Sequence, residues 1–245
     1  MKPMAPKHLS QQKGLSLIGL MIGLLISVLC ILGSLTLYKN LIQVATESKL
    51  DSNHDGQLAS AMLVIQLGVQ NAGFGIEPDA TTPSIVINNP EAGKTQLLWR
   101  FLKDGTIDEY ECRGLHEEQD TTNGVFRVLK VIKVVDGTCD ESTPLENFTW
   151  ETDNPLVVLG RWRVLEDDVA GVGLDDYITT NGTMFNFQLA TNVKCNPYGA
   201  NSAADGLHAF LTISVPGSAH LQGATDMGVT QYEYCLTNIH YPAPP

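Results

Sequence analysis

The sequence predicts an α+β protein, in which a long amino-terminal helix, apolar in its first half, is followed by an antiparallel β domain. Three observations predict this architecture. Residues 15–38 contain no Asp, Glu, Lys, Arg or His. Residues 39–72 continue with apolar side chains at helical spacing. From Glu77 onward, short runs rich in β-branched and aromatic residues alternate with turn residues.

The uncharged segment is predicted to be a retained membrane span. It covers 24 residues, Leu15 to Tyr38, with Lys13 before it and Lys39 after it. At about 1.5 Å per residue, a helix of this length reaches roughly 36 Å and can cross a hydrocarbon core of about 30 Å. A secretory signal would have a shorter apolar core followed by a small-residue cleavage site. No such site precedes Tyr38, so we expect the segment to be kept.

Charge indicates which side of the membrane the rest of the chain occupies. The sequence has 245 residues, with 15 basic and 27 acidic residues and a net charge of −12. Lys2, Lys7 and Lys13 precede the span without any acidic residue, which predicts a cytoplasmic amino terminus and an exported remainder. Without these three lysines the net charge is −15. Such a surface repels nucleic acid and anionic lipid, so we expect no direct nucleic-acid binding.

A short polar leader, a glycine and an apolar run together form a recognisable pattern. The junction reads Lys13-Gly14-Leu15-Ser16-Leu17-Ile18-Gly19-Leu20-Met21-Ile22. It resembles the amino terminus of type IV prepilins and of the related pseudopilins of type II secretion. The resemblance implies that a membrane peptidase cuts between Gly14 and Leu15 on the cytoplasmic side and methylates the new amino group of Leu15. The family usually has Glu as the fifth residue after the cut, where this chain has Gly19.

The resemblance implies a minor pilin, and the segment from Leu63 to Gly75 is similar to the corresponding part of the PilW group. The implied domains are a leader peptide at 1–14, a transmembrane and filament-core helix at 15–38, an amphipathic continuation at 39–72 and a periplasmic or extracellular β domain at 73–245. The implied partners are other minor and major pilins, the prepilin peptidase and, before assembly, the inner membrane. Such subunits prime or cap pilus assembly and contribute to adhesion, twitching motility or DNA uptake.

Gly19 bears on the position of the subunit in a filament. In this family the missing carboxylate is understood to pair with the terminal amine of a neighbouring subunit, and the first subunit needs no such pair. Gly19 and Gly23 instead form a G-x-x-x-G face suited to close helix contact. We therefore expect a location at or near the tip. The alternative is that the glycine is a tolerated loss in a subunit of low copy number.

The second half of the helix is predicted to lie on a core. Apolar residues recur on one side, while polar residues occupy the other. The core side is Leu58, Ala61, Met62, Ile65, Val69 and Ala72, and the polar side is Gln57, Ser60, Gln66 and Gln70. Residues 71–75, with Asn71, Gly73 and Gly75, predict the helix end.

Residues 51–56 match the first half of a calcium loop. Met62 stands where the essential Glu of that loop belongs, so we predict no metal there. We predict only a kink or a short loop, because Asn53 and Gly56 are unfavourable in a continuous helix.

Eight short runs after the helix are predicted to be strands, several of them antiparallel. They are Ser84–Ile87, Gln96–Leu102, Ile107–Cys112, Val125–Val135, Leu156–Leu165, Met184–Leu189, Ala209–Val215 and Gln231–Leu236. Turns are predicted at 103–106, 136–137 and 181–182. The segments 166–180 and 196–206 are predicted loops and the expected place for a binding surface. The Pro-rich tail at 241–245 is predicted to mark the end of the domain.

Four of the five cysteines lie in the predicted exported part. Cys30 is inside the span, where it serves as a small apolar residue. Cys112, Cys139, Cys195 and Cys235 are even in number and in an oxidising compartment, which predicts two disulfides with three possible connectivities. We favour the sequential pairing, Cys112 with Cys139 and Cys195 with Cys235. A zinc site is disfavoured because no pair has C-x₂₋₄-C spacing.

No pattern in the sequence predicts catalysis or a bound cofactor. It has no G-x-S-x-G, no H-E-x-x-H and no P-loop, and residues 116–120 carry Asp where the second histidine of a zinc motif would stand. We therefore expect a non-enzymatic, mechanical role. Two alternatives stay open, namely a type II secretion pseudopilin and a membrane-anchored periplasmic enzyme.

Overall fold

The computed structural model contains one long helix and two antiparallel sheets. It describes residues 17–77, 82–103, 109–120, 122, 126–135, 139–164, 177–178, 181–195, 207–217 and 228–240. The chain divides into two compact units, Met1–Ser48 and Lys49–Pro245. The α+β class predicted from the sequence is therefore observed.

The helix α1 covers Leu17–Val69, 53 residues in all. Residues 51–56 were predicted to form a kink or a short loop, and the loop is wrong, because the backbone there is helical throughout. A glycine in a helix costs only about 1 kcal/mol, and packing on both sides of Gly56 outweighs this penalty. His54 is buried with its Nε2 3.2 Å from the Pro216 carbonyl oxygen, and Leu58 is buried in the core.

The core-facing side of α1 agrees with the prediction residue by residue. All six predicted residues are buried, at 0 to 4% exposure: Leu58, Ala61, Met62, Ile65, Val69 and Ala72. The predicted helix end is also confirmed. Gly73 and Gly75 have φ of +78° and +72°, which favours glycine, and the amide of Gly73 donates to the Arg100 carbonyl at 2.9 Å. The turn after the helix is thereby joined to the first sheet.

Each of the eight predicted strands overlaps a strand among the described residues, where the strands form two sheets. The five-stranded sheet has the order β1 (Ile85–Asn88), β2 (Thr95–Leu102), β3 (Tyr110–Asp120), β4 (Phe126–Lys133) and β5 (Val157–Arg163). The three-stranded sheet has the order β6 (Asn186–Lys194), β7 (Leu207–Pro216) and β8 (Val229–His240). Every neighbouring pair is antiparallel. The main difference from the prediction is β3, which extends eight residues further, through Asp120.

One continuous core joins the second half of α1 to both sheets. It contains Trp99 and Leu115 from the first sheet, Leu211 and Ile213 from the second, and the buried side of the helix. Trp99 lies close under the helix, since a Cβ on Gly68 would be 3.2 Å from its ring. A smaller core on the opposite face of the first sheet contains Leu98, Cys112, Ile132, Val134 and Leu145. The 3-10 turn Leu145–Asn147 closes that face.

Candidate functional site

The apolar part of α1 within the first unit is exposed along its length. Its large apolar side chains between Leu17 and Val44 are 46 to 76% exposed. An 18-residue window of this helix has a mean hydropathy of 2.6, which makes it a candidate membrane anchor by length and composition. So much apolar surface is unfavourable in water, at about 25 cal/mol per Å². This segment is therefore a surface that requires an apolar environment.

The described serine and threonine hydroxyls between Leu17 and Val44 donate to carbonyl oxygens of the same helix. Ser27 donates to the Gly23 carbonyl at 2.8 Å, Ser34 donates to the Cys30 carbonyl at 2.8 Å, and Thr36 donates in the same way four residues back. Backbone and side-chain polar groups must find partners inside a lipid-exposed helix. These three hydroxyls meet this requirement. Cys30 carries a free, exposed thiol.

The predicted processing site lies outside the described residues. Gly14 and Leu15 precede the first described residue, so cleavage and methylation stay predictions. Gly19 and Gly23 are described, and a Cβ at either position would meet no atom within 4 Å. The two glycines thus leave a smooth helix surface that another helix could approach closely.

A second apolar surface lies on the outward side of α1 in the globular unit, where the sequence pattern predicts polar residues. Leu63 is 60% exposed, Val64 is 43% exposed and Leu67 is 61% exposed. Phe74, just after the helix, is 52% exposed. The sequence contained this signal, because these leucines fall between the core-facing positions rather than on them. We call Leu63, Val64 and Leu67 the outer helix patch.

Both disulfides are present in the pairing favoured from the sequence. Cys112 and Cys139 are 27 residues apart and join β3 to the segment that covers the smaller core. Cys195 and Cys235 are 40 residues apart. This second bond links the end of β6 to β8, the two strands that flank β7, and so closes the three-stranded sheet across its width.

An ion pair that no sequence pattern predicts is buried between the sheets. Glu117 on β3 is 0% exposed, and its Oε1 accepts from Arg127 Nε on β4 at 2.6 Å. The same carboxylate accepts from the amides of Met184 at 2.7 Å and Phe185 at 2.8 Å. Arg127 Nη2 also donates to the Gly93 carbonyl at 2.7 Å. Burial raises the pKa of Glu117, while Arg127 and the two amides oppose that rise.

A cavity of about 270 Å³ lies beside this ion pair. One wall is the turn between β1 and β2, residues 89–95, and the other is the segment 181–187 that leads into β6. Gly93 and Gly182 face each other across it, since a Cβ on Gly93 would be 3.7 Å from the Gly182 carbonyl oxygen. Its lining mixes three kinds of side chain. Amide and hydroxyl groups come from Asn89, Thr95, Asn181, Thr183 and Asn186, charged groups from Glu91 and Lys94, and apolar surface from Ile87, Ala92, Phe185 and Phe187.

A second cavity, of about 600 Å³, adjoins the Cys112–Cys139 disulfide. Most of the charged side chains around it form ion pairs with one another. Arg113 contacts Glu111 at 2.6 Å, and Lys103 contacts Glu109 at 3.1 Å. These pairs neutralise much of the charge that a ligand could use.

A polar ladder crosses the first four strands on the face with the smaller core. Asn88 donates to Gln96 at 3.1 Å, and Gln96 Nε2 lies 3.2 Å from Nδ1 of the buried His116. Nε2 of His116 lies 3.2 Å from Glu118, which also pairs with Lys130. A neutral imidazole with its proton on Nε2 satisfies both neighbours. Burial accordingly lowers the pKa of His116.

The described residues contain no group of three or more His, Cys, Asp or Glu side chains placed to hold a metal ion. The two loops predicted to carry a binding surface, 166–180 and 196–206, lie almost wholly outside the described residues. In comparisons with known proteins, no family model, no curated protein and no solved structure matches the chain.

Proposed function

We propose that this chain is a minor pilin-like subunit, similar to the PilW group, that primes or caps a type IV pilus at or near its tip. The observation that carries the proposal is that the two ends of α1 have different surroundings. Its last turns pack into the core of the globular unit, whereas its apolar part is exposed from Leu17 to Val44. A helix built in this way anchors a folded domain to an apolar environment.

The physical argument concerns what can surround the exposed apolar part. Before assembly, lipid supplies the apolar environment, with the helix as a single inner-membrane span. The helix can leave the bilayer only if other apolar helices replace the lipid around it. Other pilins are therefore the expected partners. The outer helix patch supports the same proposal, because Leu63 and Leu67 gain apolar contacts only when a neighbour covers them.

Processing of the amino terminus tests the proposal directly. The mature chain should begin at an N-methylated Leu15 in cells that contain prepilin peptidase, and at Met1 in cells that lack it. Mass spectrometry of the purified chain measures both. Gly14→Leu should leave the precursor uncut, because a bulky residue before the scissile bond obstructs the peptidase. Gly33→Leu is the matched control, since a Cβ at Gly33 meets no atom within 4 Å, and it should be cut normally.

Assembly tests the second half of the proposal. Crosslinking in intact cells, followed by affinity purification, should recover other pilins joined to the apolar helix. Recovery of the type II secretion apparatus instead would assign the chain to the pseudopilins. An unprocessed amino terminus in wild-type cells, with no pilin or pseudopilin among the crosslinked partners, would contradict both assignments.

A further inference from the structure

The cavity between residues 89–95 and 181–187 has the size of a small-ligand site. At about 30 Å³ per water molecule in the liquid, its volume of about 270 Å³ holds roughly nine waters. A single sugar ring fits within this volume. Its walls come from two segments that are distant in sequence, which is common for binding sites in folded proteins.

The buried ion pair holds both walls in place. Arg127 fixes one wall through the carbonyl of Gly93, at 2.7 Å. Glu117 fixes the other through the amides of Met184 and Phe185. A ligand that enters a cavity with fixed walls loses less affinity to the ordering of those walls. Glu117 and Arg127 are positioning residues in this arrangement, since neither lines the cavity itself.

The lining offers hydrogen bonds without a net charge. No described residue pairs with the side-chain amides of Asn89 and Asn186. Thr183 donates its hydroxyl to the Phe185 carbonyl at 3.0 Å, which leaves its oxygen able to accept. Lys94, the one basic residue of the lining, is paired with Glu91 at 3.0 Å. The site therefore favours a ligand that both donates and accepts hydrogen bonds and carries no charge.

We propose that this cavity binds one uncharged sugar ring, such as the terminal residue of a glycan. A sugar hydroxyl donates and accepts, as a carboxamide does, so Asn89 and Asn186 can each pair with hydroxyl groups of the ring. Ile87 and Phe187, which also line the cavity, provide an apolar surface for the C–H face of the ring. The proposal does not depend on the assembly of the chain into a filament.

Titration of the full chain with defined sugars tests the proposal. The protein is kept in a zwitterionic detergent, because detergents with sugar head groups would compete for the cavity. The probes are the methyl glycosides of glucose, galactose, mannose, N-acetylglucosamine and N-acetylgalactosamine, with N-acetylneuraminic acid as the anionic comparison. We expect at least one uncharged glycoside to bind by saturation-transfer NMR and calorimetry, and the anionic sugar to bind at least about tenfold more weakly, a difference of about 1.4 kcal/mol.

Matched variants locate the binding. Asn89→Ala and Asn186→Ala should each weaken binding of that glycoside by about tenfold without a change in thermal unfolding. Gln188→Ala is the control, because Gln188 is an exposed amide on β6 that does not line the cavity. Absence of binding for all five glycosides up to about 10 mM would overturn the proposal. Equal binding by wild type and both asparagine variants, or tighter binding of the anionic sugar, would do the same.

Discussion

At the residue scale, the buried ion pair of Glu117 and Arg127 depends on the hydrogen bonds that surround it. Removing two charges from water carries a penalty of several kcal/mol for each, which only good geometry and additional hydrogen bonds offset. Here the carboxylate has two guanidinium nitrogens within 2.6 Å and two backbone amides within 2.8 Å. The pair thus joins the first sheet to the segment that leads into the second.

Removal of one partner should therefore be far more destabilising than loss of an exposed pair. Glu117→Gln should lower the free energy of unfolding by about 3 to 5 kcal/mol, because Arg127 is then left charged and buried. Glu111→Gln on the same strand removes the partly exposed pair with Arg113 and should lower it by less than about 1 kcal/mol. Urea unfolding of the full chain in detergent measures both variants. Equal effects of the two substitutions would show that the buried pair contributes little.

Protonation of His116 should make the free energy of unfolding depend on pH. Burial lowers the pKa of His116, as do the charges of Lys130 and Lys94, while Glu118 acts in the opposite direction. The unfolded chain therefore binds more protons than the folded chain once the pH falls below about 6.5. Stability from the neutral imidazole should be fully present above that pH and should be lost as the pH falls through the lower pKa of the folded state.

The matched variant for this effect is His116→Gln, whose amide can accept from Gln96 and donate to Glu118. We expect the urea midpoint of the wild type to fall between pH 7.5 and pH 5.5 and the midpoint of the variant to fall less. Since Glu118 and Lys130 are present in both proteins, the difference between the two slopes isolates the histidine. Parallel slopes would contradict the assignment.

At the element scale, α1 has two apolar sides with different roles. Ile65 is 1% exposed in the core, whereas Leu67 is 61% exposed on the outer helix patch. Ile65→Ala should lower the free energy of unfolding by about 2 to 5 kcal/mol, because it leaves a cavity in a packed core. Leu67→Ala should change it by less than about 0.5 kcal/mol. Chemical unfolding of the unassembled chain compares them, and a large loss for Leu67→Ala would mean that Leu67 is already covered.

The sequence predicted the elements better than it predicted their connections. Helical and alternating spacing report which side of one element is buried, so the six core-facing residues of α1 and all eight strands were identifiable. The extension of β3 through Glu117 could not be predicted from spacing. A charged residue at the end of a strand is favourable there only because Arg127 and the amides of Met184 and Phe185 surround it. The helical residues 51–56 were missed for a similar reason, since the contact of His54 with Pro216 spans 162 residues.

The cavity and the outer helix patch differ in how visible they are in the sequence. The spacing of Leu63 and Leu67 places them away from the core-facing side of the helix, so the sequence does indicate the outer helix patch. The amphipathic pattern of the core-facing residues is nevertheless sufficient to predict the helix without them. Asn89 and Asn186 carry no such signal. Their proximity results from the packing of two sheets, which local spacing does not encode.

At the scale of the whole molecule, two disulfides join segments of the globular unit that are far apart in sequence. The disulfides enclose 27 and 40 residues and, by loop entropy, each contributes roughly 3 to 4 kcal/mol. Such bonds persist in oxidising compartments. An exported location of the folded unit, as the leader lysines predict, would supply such a compartment.

The proposed function predicts a position for this chain in a filament, and that position depends on Gly19. A buried carboxylate in a helix bundle is costly until a positive group neutralises it. The resemblance to type IV pilins implies that a carboxylate at this place pairs with the terminal amine of a neighbouring subunit. Gly19 cannot form this pair, and the first subunit of a filament is the one that does not need it. We therefore expect immunogold label at filament ends, at a few copies for each filament. Gly19→Glu should move part of the label into the shaft, whereas Gly19→Gln, of similar size and without the charge, should not. Wild-type label along the whole shaft, at the abundance of a major pilin, would contradict the tip location.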